Sequence, residues 1–295
     1  MSAQDYPIAT ITQKDSAYPD ILRTLPDAPQ MLYVRGELAP LLNMPLVAIV
    51  GTRRCTPYGK RATEYIVRDL SRAGVCIVSG MAFGIDAAAH QTALEENGET
   101  IAVLGTGIDD ASVYPRAHIG LAQRILKSGG VILSEYPPGT PGYKDNFPAR
   151  NRIVAGLCGM TVVMEAPFKS GARITARLAL EYNREVGAIP GPLFAKQSEG
   201  SNDLIAQGAL CVRSADDILE ALGIAKPTSA EINMQFSSPE EERIALILHE
   251  AASPLSLDKL VEQSTLNASR VVSIVSMLQL QGRVKDVGGL YVWNN

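Results

Sequence analysis

The sequence predicts a doubly wound α/β domain with a mostly parallel sheet, followed by a small C-terminal winged-helix domain. Three observations support this fold class. Short apolar segments alternate with amphipathic segments of helical length through the middle of the chain, a pattern typical of parallel strands that helices cover on both faces. Around residue 223 the alternation ends in a stretch that contains Pro, Ser and Thr. Three short helical patterns and a candidate hairpin follow it.

The predicted strands are the apolar runs of the middle region. They are Leu46–Val50, Val75–Ser79, Thr100–Leu104, Val131–Ser134, Met160–Glu165 and Val186–Pro190, with a weaker run at Leu210–Val212. Helices are predicted from the amphipathic stretches between them, such as Gly59–Ala73, Asp86–Glu96 and Gly171–Arg184. Because crossovers between parallel strands are right-handed, these units predict an open sheet with helices on both faces.

The chain is expected to divide into four parts. Residues 1–45 are interpreted as a short lead-in punctuated by Pro, 46–223 as the α/β domain, 224–238 as a linker and 239–295 as the winged-helix-like domain. The last domain is predicted from helices and strands at Pro239–Ala251, Leu257–Gln263, Asn267–Gln281, Arg283–Asp286 and Leu290–Trp293. Gly288-Gly289, between the last two segments, indicates a hairpin turn.

Composition excludes several classes of protein. The chain has 295 residues, of which 46% are hydrophobic and 20% charged, so it can bury a sizeable core. No apolar run approaches the roughly 18 residues of a membrane span and the N-terminus does not resemble a signal peptide, so we expect a cytoplasmic protein without membrane contact. Four widely separated cysteines indicate neither a zinc site nor a disulfide framework. Because the net charge is −4, any nucleic-acid surface must be a local patch.

Two basic segments interrupt this mildly acidic chain. Residues 51–72 hold six Arg or Lys against two acidic residues, and residues 169–184 hold four against one. Charge runs usually form solvated helix faces, but both segments lie beside Gly-rich turns. Residues 227–295 instead carry five basic and eight acidic residues. Since the predicted third helix there offers only Arg270 as a cation, we expect a regulatory or protein-contacting role rather than strong duplex binding.

Glycines recur where the predicted strands end. The first three strands are followed by Gly51-Thr52, by Gly80 and Gly84, and by Gly105. Glycine lets a ligand approach the backbone closely, and helix N-termini beyond such turns favour anions. Because ligands of open α/β sheets bind beyond the carboxyl ends of the strands, we expect a shared anion-binding crevice there. Neither the dinucleotide fingerprint nor a P-loop occurs, so we expect no cofactor.

The segment 144–152, Lys-Asp-Asn-Phe-Pro-Ala-Arg-Asn-Arg, combines cations, amides and one aromatic side chain at the start of a predicted helix. Cations neutralise phosphates, and an exposed ring such as that of Phe147 stacks on any base. This combination favours single-stranded nucleic acid over a small free anion. From the residues alone, an equal alternative is that Phe147 packs on the following helix while the arginines are solvated.

Candidate catalytic residues are few, and no nucleophile accompanies them. The spacing of Asp86 and His90 places them on one helix face, where they could act as an acid–base pair. We favour a structural alternative, in which Asp86 caps the helix and His90 satisfies a buried hydrogen bond.

Two further acidic positions have alternative interpretations. Asp109-Asp110 could hold a metal, but we favour a role in capping or turning a loop and expect no metal site. Glu165, at a strand end, could act as a general base. A pairing of Glu165 with Arg152 or Arg173 is equally compatible with the sequence.

Eight blocks of the sequence occur together in a specific order. They are Val50–Arg53, Ser79–His90, Ser134–Gly139, Phe147–Leu157, Glu165–Ala166, Ser170–Ala176, Pro190–Pro192 and Gly200–Ala209. In this order they resemble the DprA (Smf) DNA-processing family over residues from about 17 to 220, and the C-terminal region is similar to the winged-helix domain of many members. The SAM-like domain found at the N-terminus of some members is not expected here.

The resemblance implies an extended Rossmann-like domain that binds single-stranded DNA without strong sequence preference and forms a homodimer. It also implies protection of incoming strands, loading of the recombinase RecA during natural transformation, and relief of the barrier set by single-strand-binding protein. The residues that would contact DNA are Arg53, Lys144, Phe147, Arg150, Asn151, Arg152, Ser170, Gly171 and Thr175. Arg53 would grip phosphate, Phe147 would stack on a base, and Ser170-Gly171 with Thr175 would cradle a phosphate.

Two other functions remain as alternatives. Nucleotide-processing hydrolases that resemble lysine decarboxylases belong to the same superfamily and use a PGGxGTxxE loop. This chain has Pro167–Arg173 there, without the glutamate, so hydrolysis lacks its expected acid. A transcriptional regulator acting through the winged helix is disfavoured by the acidic charge of that region.

Overall fold

The computed structural model describes residues 6–224, 236, 238–251 and 254–293. They form two compact units, Met1–Pro227 and Thr228–Asn295, which are described separately. No helix among the described residues is long and apolar enough to cross a membrane.

Nine strands of the described first unit form one sheet. The strands are β1 (Ile8–Thr12), β2 (Met31–Arg35), β3 (Leu46–Val50), β4 (Cys76–Ser79), β5 (Thr100–Leu104), β6 (Val131–Ser134), β7 (Met160–Val163), β8 (Glu185–Ala188) and β9 (Leu210–Cys211). The helices are α1 (Asp20–Arg23), α2 (Leu38–Leu42), α3 (Pro57–Arg72), α4 (Ile85–Glu95), α5 (Ile119–Lys127), α6 (Asn146–Leu157), α7 (Gly171–Glu181), α8 (Glu199–Ala206) and α9 (Ala215–Ala221).

The strand order explains where a ligand can bind. The order is β1-β2-β6-β5-β4-β3-β7-β8-β9, and neighbouring strands from β6 to β9 are parallel. The chain moves outward from β3 through β4 and β5 to β6, then returns to the other side of β3 as β7. The topological switch point therefore lies between β3 and β7, where open α/β sheets bind ligands. The predicted doubly wound, mostly parallel sheet is confirmed.

Alternate residues of the central strands face opposite helix layers. In β3, Ala48 and Val50 belong to the apolar cluster that contains residues of α6 and α7. Val47 and Ile49 belong to a second cluster that contains residues of α3 and α4. Because both faces of the strand are covered, its sequence is continuously apolar, as expected for a buried parallel strand.

Residues before position 45 contribute two strands that the sequence pattern did not indicate. β1 pairs antiparallel with β2, and β2 pairs antiparallel with β6, placing Tyr33 opposite Ser134. The buried Arg35 at the end of β2 pairs with Asp110, with 2.5 Å between Nη1 and Oδ1. The segment interpreted as a lead-in thus extends the edge of the sheet.

The second unit has its own apolar core and a three-stranded sheet. Its elements are α10 (Pro239–Glu250), β10 (Leu255–Ser256), α11 (Leu257–Ser264), α12 (Ala268–Leu280), β11 (Val284–Asp286) and β12 (Leu290–Trp293). Three helices with a β11–β12 hairpin match the predicted winged-helix fold. Most of the predicted linker 224–238 lies outside the described residues, so the four-part division remains a prediction.

Candidate nucleic-acid interface

An open cavity of about 720 Å³ lies at the carboxyl ends of the strands around the switch point. The loop after β3, the loop after β4, and the first turns of α6 and α7 line it. This is the edge where the glycine-rich turns predict a crevice. The sheet topology brings these turns together, although they are far apart in sequence.

The cavity is strongly cationic. Its lining includes five basic side chains, which are those of Arg53, Arg54, Lys144, Arg150 and Lys169. All but Arg150 are exposed, and in the described part of the chain none of these four forms an ion pair with a carboxylate. The one acidic residue in the lining, Asp86, is buried. Anions are therefore attracted to this cavity, and the lining residues offer no exposed carboxylate to compete with them.

Phe147 lies on the cavity wall beside Arg53. Its half-buried ring lies 5.5 Å from the Tyr114 ring, measured between centroids, and 5.5 Å from the guanidinium carbon of Arg53. A Cβ at Gly105 would come within 3.1 Å of Phe147 Cδ1, so Gly105 leaves room for the ring's edge. One side of the ring therefore packs against the protein, and the remainder lines the cavity, an arrangement compatible with base stacking.

Helix geometry decides which residues of 144–152 enter the cavity. Phe147, Arg150 and Asn151 are spaced i, i+3 and i+4 and line the cavity. Arg152 does not belong to the lining. It is ion-paired with Glu135 at 2.6 Å and with Asp27 at 3.7 Å. The expectation that Arg152 lines the same groove is therefore not met, because its position on the helix directs it elsewhere.

Arg150 is 5% exposed and forms part of the cavity floor. Its guanidinium donates to the carbonyl oxygen of Val103, and a Cβ at Gly80 would clash with it. Burial lowers the pKa of Arg150 to about 10, while the negative charge of Asp86 opposes this shift. Burial likewise raises the pKa of Asp86, and Arg150 opposes that shift. Arg150 thus has little surface to offer DNA and supports the loops around it.

The first turn of α7 supplies a helix N-terminus to the cavity. Ser170 is the N-cap, and its Oγ accepts a hydrogen bond from the amide of Ala172 at 3.3 Å. Thr175 is buried and donates from Oγ1 to the carbonyl oxygen of Gly171 at 3.3 Å. Asn151 joins α6 to this turn by donating to the same oxygen at 3.4 Å. With Lys169 beside it, this end of α7 favours an anion.

The residues predicted to form the Gly-rich crevice divide into two groups. Gly51, Thr52 and Gly80 line the cavity. Gly84 and Gly105 lie behind the lining. Gly84 has φ +78° and packs against the Thr52 carbonyl, where a side chain would clash. These two glycines permit close packing of the loops rather than approach of a ligand.

Comparison with known proteins identifies the family. The family model described as DNA recombination-mediator protein A matches residues 9–223. This chain belongs to that family. A second model, the DprA winged helix domain, matches residues 225–289.

Proteins similar to this one include Protein Smf of Escherichia coli K12, which is 40% identical over 282 residues that cover 93% of this chain and 74% of that protein. DNA processing protein DprA of Streptococcus pneumoniae R6 is 45% identical over 205 residues, covering 70% of this chain and 71% of that protein. The solved DprA structure from Streptococcus pneumoniae matches with a TM-score of 0.68 at 43% identity, covering 74% of each chain. The Helicobacter pylori DprA structure, described for its single-stranded DNA binding mode, matches with a TM-score of 0.64 at 35% identity, covering 75% of this chain and 98% of that chain.

Asp86 and His90, the alternative catalytic pair of this DprA-family chain, make contacts that support the fold. His90 is buried, and its Nδ1 lies 2.7 Å from Thr100 Oγ1. Burial lowers the pKa of His90 to about 3, with Arg150 and His118 adding to the effect. Asp86 accepts from the amide of Ala82 at 3.2 Å, ahead of α4, whose N-cap is Gly84. Asp86 thus stabilises the turn before the helix instead of capping it.

Glu165 pairs with neither of the arginines that the sequence suggested. Its buried carboxylate accepts from the amide of Thr56 at 2.8 Å and from Thr56 Oγ1 at 2.6 Å. Arg173 is instead ion-paired with Asp203. Glu165 therefore anchors the start of α3, and Arg173 is held at the start of α7.

The other acidic pair forms a loop. Asp109 accepts from the amide of Gly139 at 2.7 Å and from Ser112 Oγ at 3.0 Å, while Asp110 pairs with Arg35. In the part of the chain that the structure describes, no group of three or more His, Cys, Asp or Glu residues is arranged to hold a metal ion.

Four polar or aromatic side chains of the cavity lining were not among the residues predicted from the sequence. They are Arg54, Lys169, Tyr114 and Gln197. Arg54 and Lys169 carry a usable signal, because each lies in a basic segment beside a strand-end turn. Tyr114 and Gln197 come from loops without a motif, and the fold alone brings them to the cavity.

Proposed function

We propose that this protein binds single-stranded DNA in the cationic cavity without strong sequence preference. The observation that carries the proposal is the combination, in one cavity, of four exposed cations with the partly exposed ring of Phe147. Cations that track phosphates, next to an aromatic ring that accepts any base, are the features of sequence-tolerant strand binding. The α7 N-terminus at Ser170-Gly171 would hold a further phosphate.

The cavity also favours a strand over a duplex. Phe147 must reach the face of a base, and in a duplex that face is covered by stacked neighbours. The family assignment and the 35% identical Helicobacter pylori protein, described for its single-stranded DNA binding mode, support the same conclusion. Arg53, Lys144 and Lys169 would neutralise phosphates, and Asn151 would contact the same stretch of backbone.

We further propose a role beyond binding. The protein would protect incoming strands and load RecA onto them during natural transformation and recombination, where single-strand-binding protein otherwise blocks access. It would act in the cytoplasm as a homodimer and as a mediator, not as an enzyme. The family description as a DNA recombination-mediator supports this role.

Fluorescence anisotropy of a labelled poly-dT strand at two salt concentrations tests the binding. We expect tight binding whose log–log salt slope is about −0.7 for each phosphate neutralised. Unlabelled duplex should compete poorly, and a chelator should change nothing. Salt-independent binding would contradict the proposed site. Competition by a mononucleotide alone would instead favour a nucleotide-processing hydrolase.

The mediator role needs a separate assay. RecA filament formation on a strand coated with single-strand-binding protein should accelerate when this protein is added. The mass in solution should be that of a dimer. Strand binding without any effect on RecA would refute the loading role and leave the binding proposal standing.

A further inference from the structure

The loop between β8 and α8, residues 190–198, presents the most exposed aromatic side chain among the residues that the structure describes. Phe194 is 99% exposed and its neighbour Leu193 is 79% exposed. The base of this loop is fixed nevertheless. The Gly191 amide donates to Asn202 Oδ1 at 3.0 Å, and Asn202 Nδ2 donates to the Gly191 carbonyl at 3.1 Å. An apolar loop tip on a fixed base needs an explanation, because two apolar side chains that stay exposed add no hydrophobic stabilisation to the fold.

Two hydrogen bonds tie this loop to the edge of the cationic cavity. Gln197 Nε2 donates to the Arg54 carbonyl at 3.1 Å, and both residues belong to the cavity lining. The Tyr58 hydroxyl, at the start of α3, donates to the Pro190 carbonyl at 2.6 Å. The loop therefore continues the cavity wall outward on the side of Arg54.

The side chains here repeat the chemistry of the cavity. We call Arg54, Tyr58, Phe194 and Lys196 the rim patch. All four are exposed, the Tyr58 ring by 38%. In the described part of the chain, neither cation forms an ion pair with a carboxylate. Two exposed aromatic rings and two available cations, on segments that these hydrogen bonds join, match what a single strand requires.

We propose that the rim patch is a second contact for the DNA strand as it leaves the cavity, with Phe194 stacking on a base. Arg54 and Lys196 neutralise the phosphates on either side of that base. This inference rests on the proposed function of the cavity. A protein partner is the less favoured occupant, because two apolar side chains on a convex tip between cations offer little area to bury.

A ladder of oligo-dT strands, from about 4 to about 20 nucleotides, tests the proposal across the usual site sizes of strand-binding folds. The wild-type protein should gain affinity with length until a strand reaches both contacts. Phe194→Ala should match the wild type on the shortest strands and bind the longer ones about tenfold more weakly, the loss expected for one stacked base. Phe147→Ala should weaken binding at every length, since it acts in the cavity.

Three variants control for the nature of the contact. Phe194→Trp should restore the affinity for long strands, whereas Phe194→Leu should not, because leucine is apolar but has no π face. Leu193→Ala removes a neighbouring exposed apolar side chain and should leave the length dependence unchanged. Since Phe194 is almost fully exposed, all of these variants should keep the wild-type melting temperature.

Each remaining outcome has a defined meaning. Phe194→Ala binding like the wild type at every length, or weakened equally at every length, would overturn the rim patch. Restoration of the affinity by Phe194→Leu would overturn it as well. A change of oligomeric mass without a change in strand binding would also overturn it, and would assign the loop tip to a protein contact. If the wild type binds no oligo-dT, the proposed function and the rim patch fail together. If Phe147→Ala alone has no effect, the base-stacking role of Phe147 fails, while the rim patch is still judged by Phe194→Ala.

Discussion

The cavity of the first unit and helix α12 of the second unit use their cations differently. In the cavity, Arg53 and Lys144 are exposed, have no carboxylate partner among the described residues, and lie in the same lining as an aromatic ring. On α12, Arg270 is ion-paired with Glu240 at 2.5 Å. A winged-helix fold therefore does not by itself supply a nucleic-acid surface. The strand site that we propose instead combines available cations with an accessible ring.

The outer surface of α12 supports the same contrast. Val272, Met277 and Leu280 are 44%, 51% and 87% exposed. A helix that reads a duplex usually presents polar and basic side chains instead. The regulatory or protein-contacting role expected from the sequence fits this apolar surface better than DNA binding does.

The largest expected effect is a loss of stability on substitution of Arg150, at the cavity floor. Arg150→Ala should destabilise the first unit by about 2–4 kcal/mol, because it removes the donor to the Val103 carbonyl and the positive charge that offsets the buried Asp86 carboxylate. Urea unfolding measures the loss. Strand binding should fall as well, since the loops after β4 and β5 lose their support. A variant as stable as the wild type would show that Arg150 is not a structural residue.

The second prediction concerns how the unfolding free energy of the first unit depends on pH. The pKa of His90 is lowered to about 3 in the folded protein, whereas an unfolded histidine takes up a proton near pH 6.5. The contribution of His90 is therefore complete above about pH 6.5 and is lost as the pH falls towards 3, by at most about 1.4 kcal/mol per pH unit. The raised pKa of Asp86 acts in the opposite direction.

Comparing the wild type with His90→Asn separates these two effects. Unfolding free energies at pH 7 and pH 5 should converge for the two proteins as the pH drops, by about 2 kcal/mol over this interval. Because Asp86 is present in both, its contribution cancels in the difference. Parallel curves would mean that His90 is accessible to protons in the folded state.

The third prediction compares two aromatic residues of the first unit. Phe147→Ala should weaken oligo-dT binding by about tenfold, within the 1–3 kcal/mol usual for one stacked base, and should leave the melting temperature nearly unchanged. Phe168→Ala is the matched control, because Phe168 is 54% exposed and stacks on Arg173 outside the cavity lining. If the melting temperature collapses while binding survives, Phe147 is a packing residue.

The smallest effect compares one cation from each unit. Arg53→Ala should weaken binding about threefold on every sequence and reduce the log–log salt slope by about 0.7, the value for one lost phosphate contact. Arg270→Ala should change neither quantity, because its guanidinium already pairs with Glu240. Equal effects of the two variants would show that both units contact the strand.

The fold was largely predictable because buried parallel strands carry their own signal. β3 and β5 are almost entirely apolar, and each is followed directly by a glycine, Gly51 and Gly105, so their carboxyl ends were visible in the sequence. β1 and β2 were not, because Ile8–Thr12 is half exposed and pairs with β2, and β2 in turn pairs with β6, far away in the chain. Antiparallel edge strands of this kind have no periodicity strong enough to separate them from a loop.

The site was predictable in composition but less so in geometry. Arg53, Lys144 and Phe147 were expected together and lie in one cavity lining. Arg152 was grouped with them by proximity in sequence, but it lies one position beyond the i, i+3, i+4 set that faces the cavity. Arg150 has the right helix phase, yet its burial could not be anticipated without Gly80, which comes from another strand end.

The antiparallel pairing of β2 with β6 also has a consequence for how the chain folds. Tyr33 and Ser134 lie about 100 residues apart, yet they are direct neighbours across the two strands. During synthesis the first two strands leave the ribosome well before their partner exists, and contacts so distant in sequence slow folding because a large loop must close. The amino-terminal hairpin is therefore made first and can join the sheet only after β6 has been made.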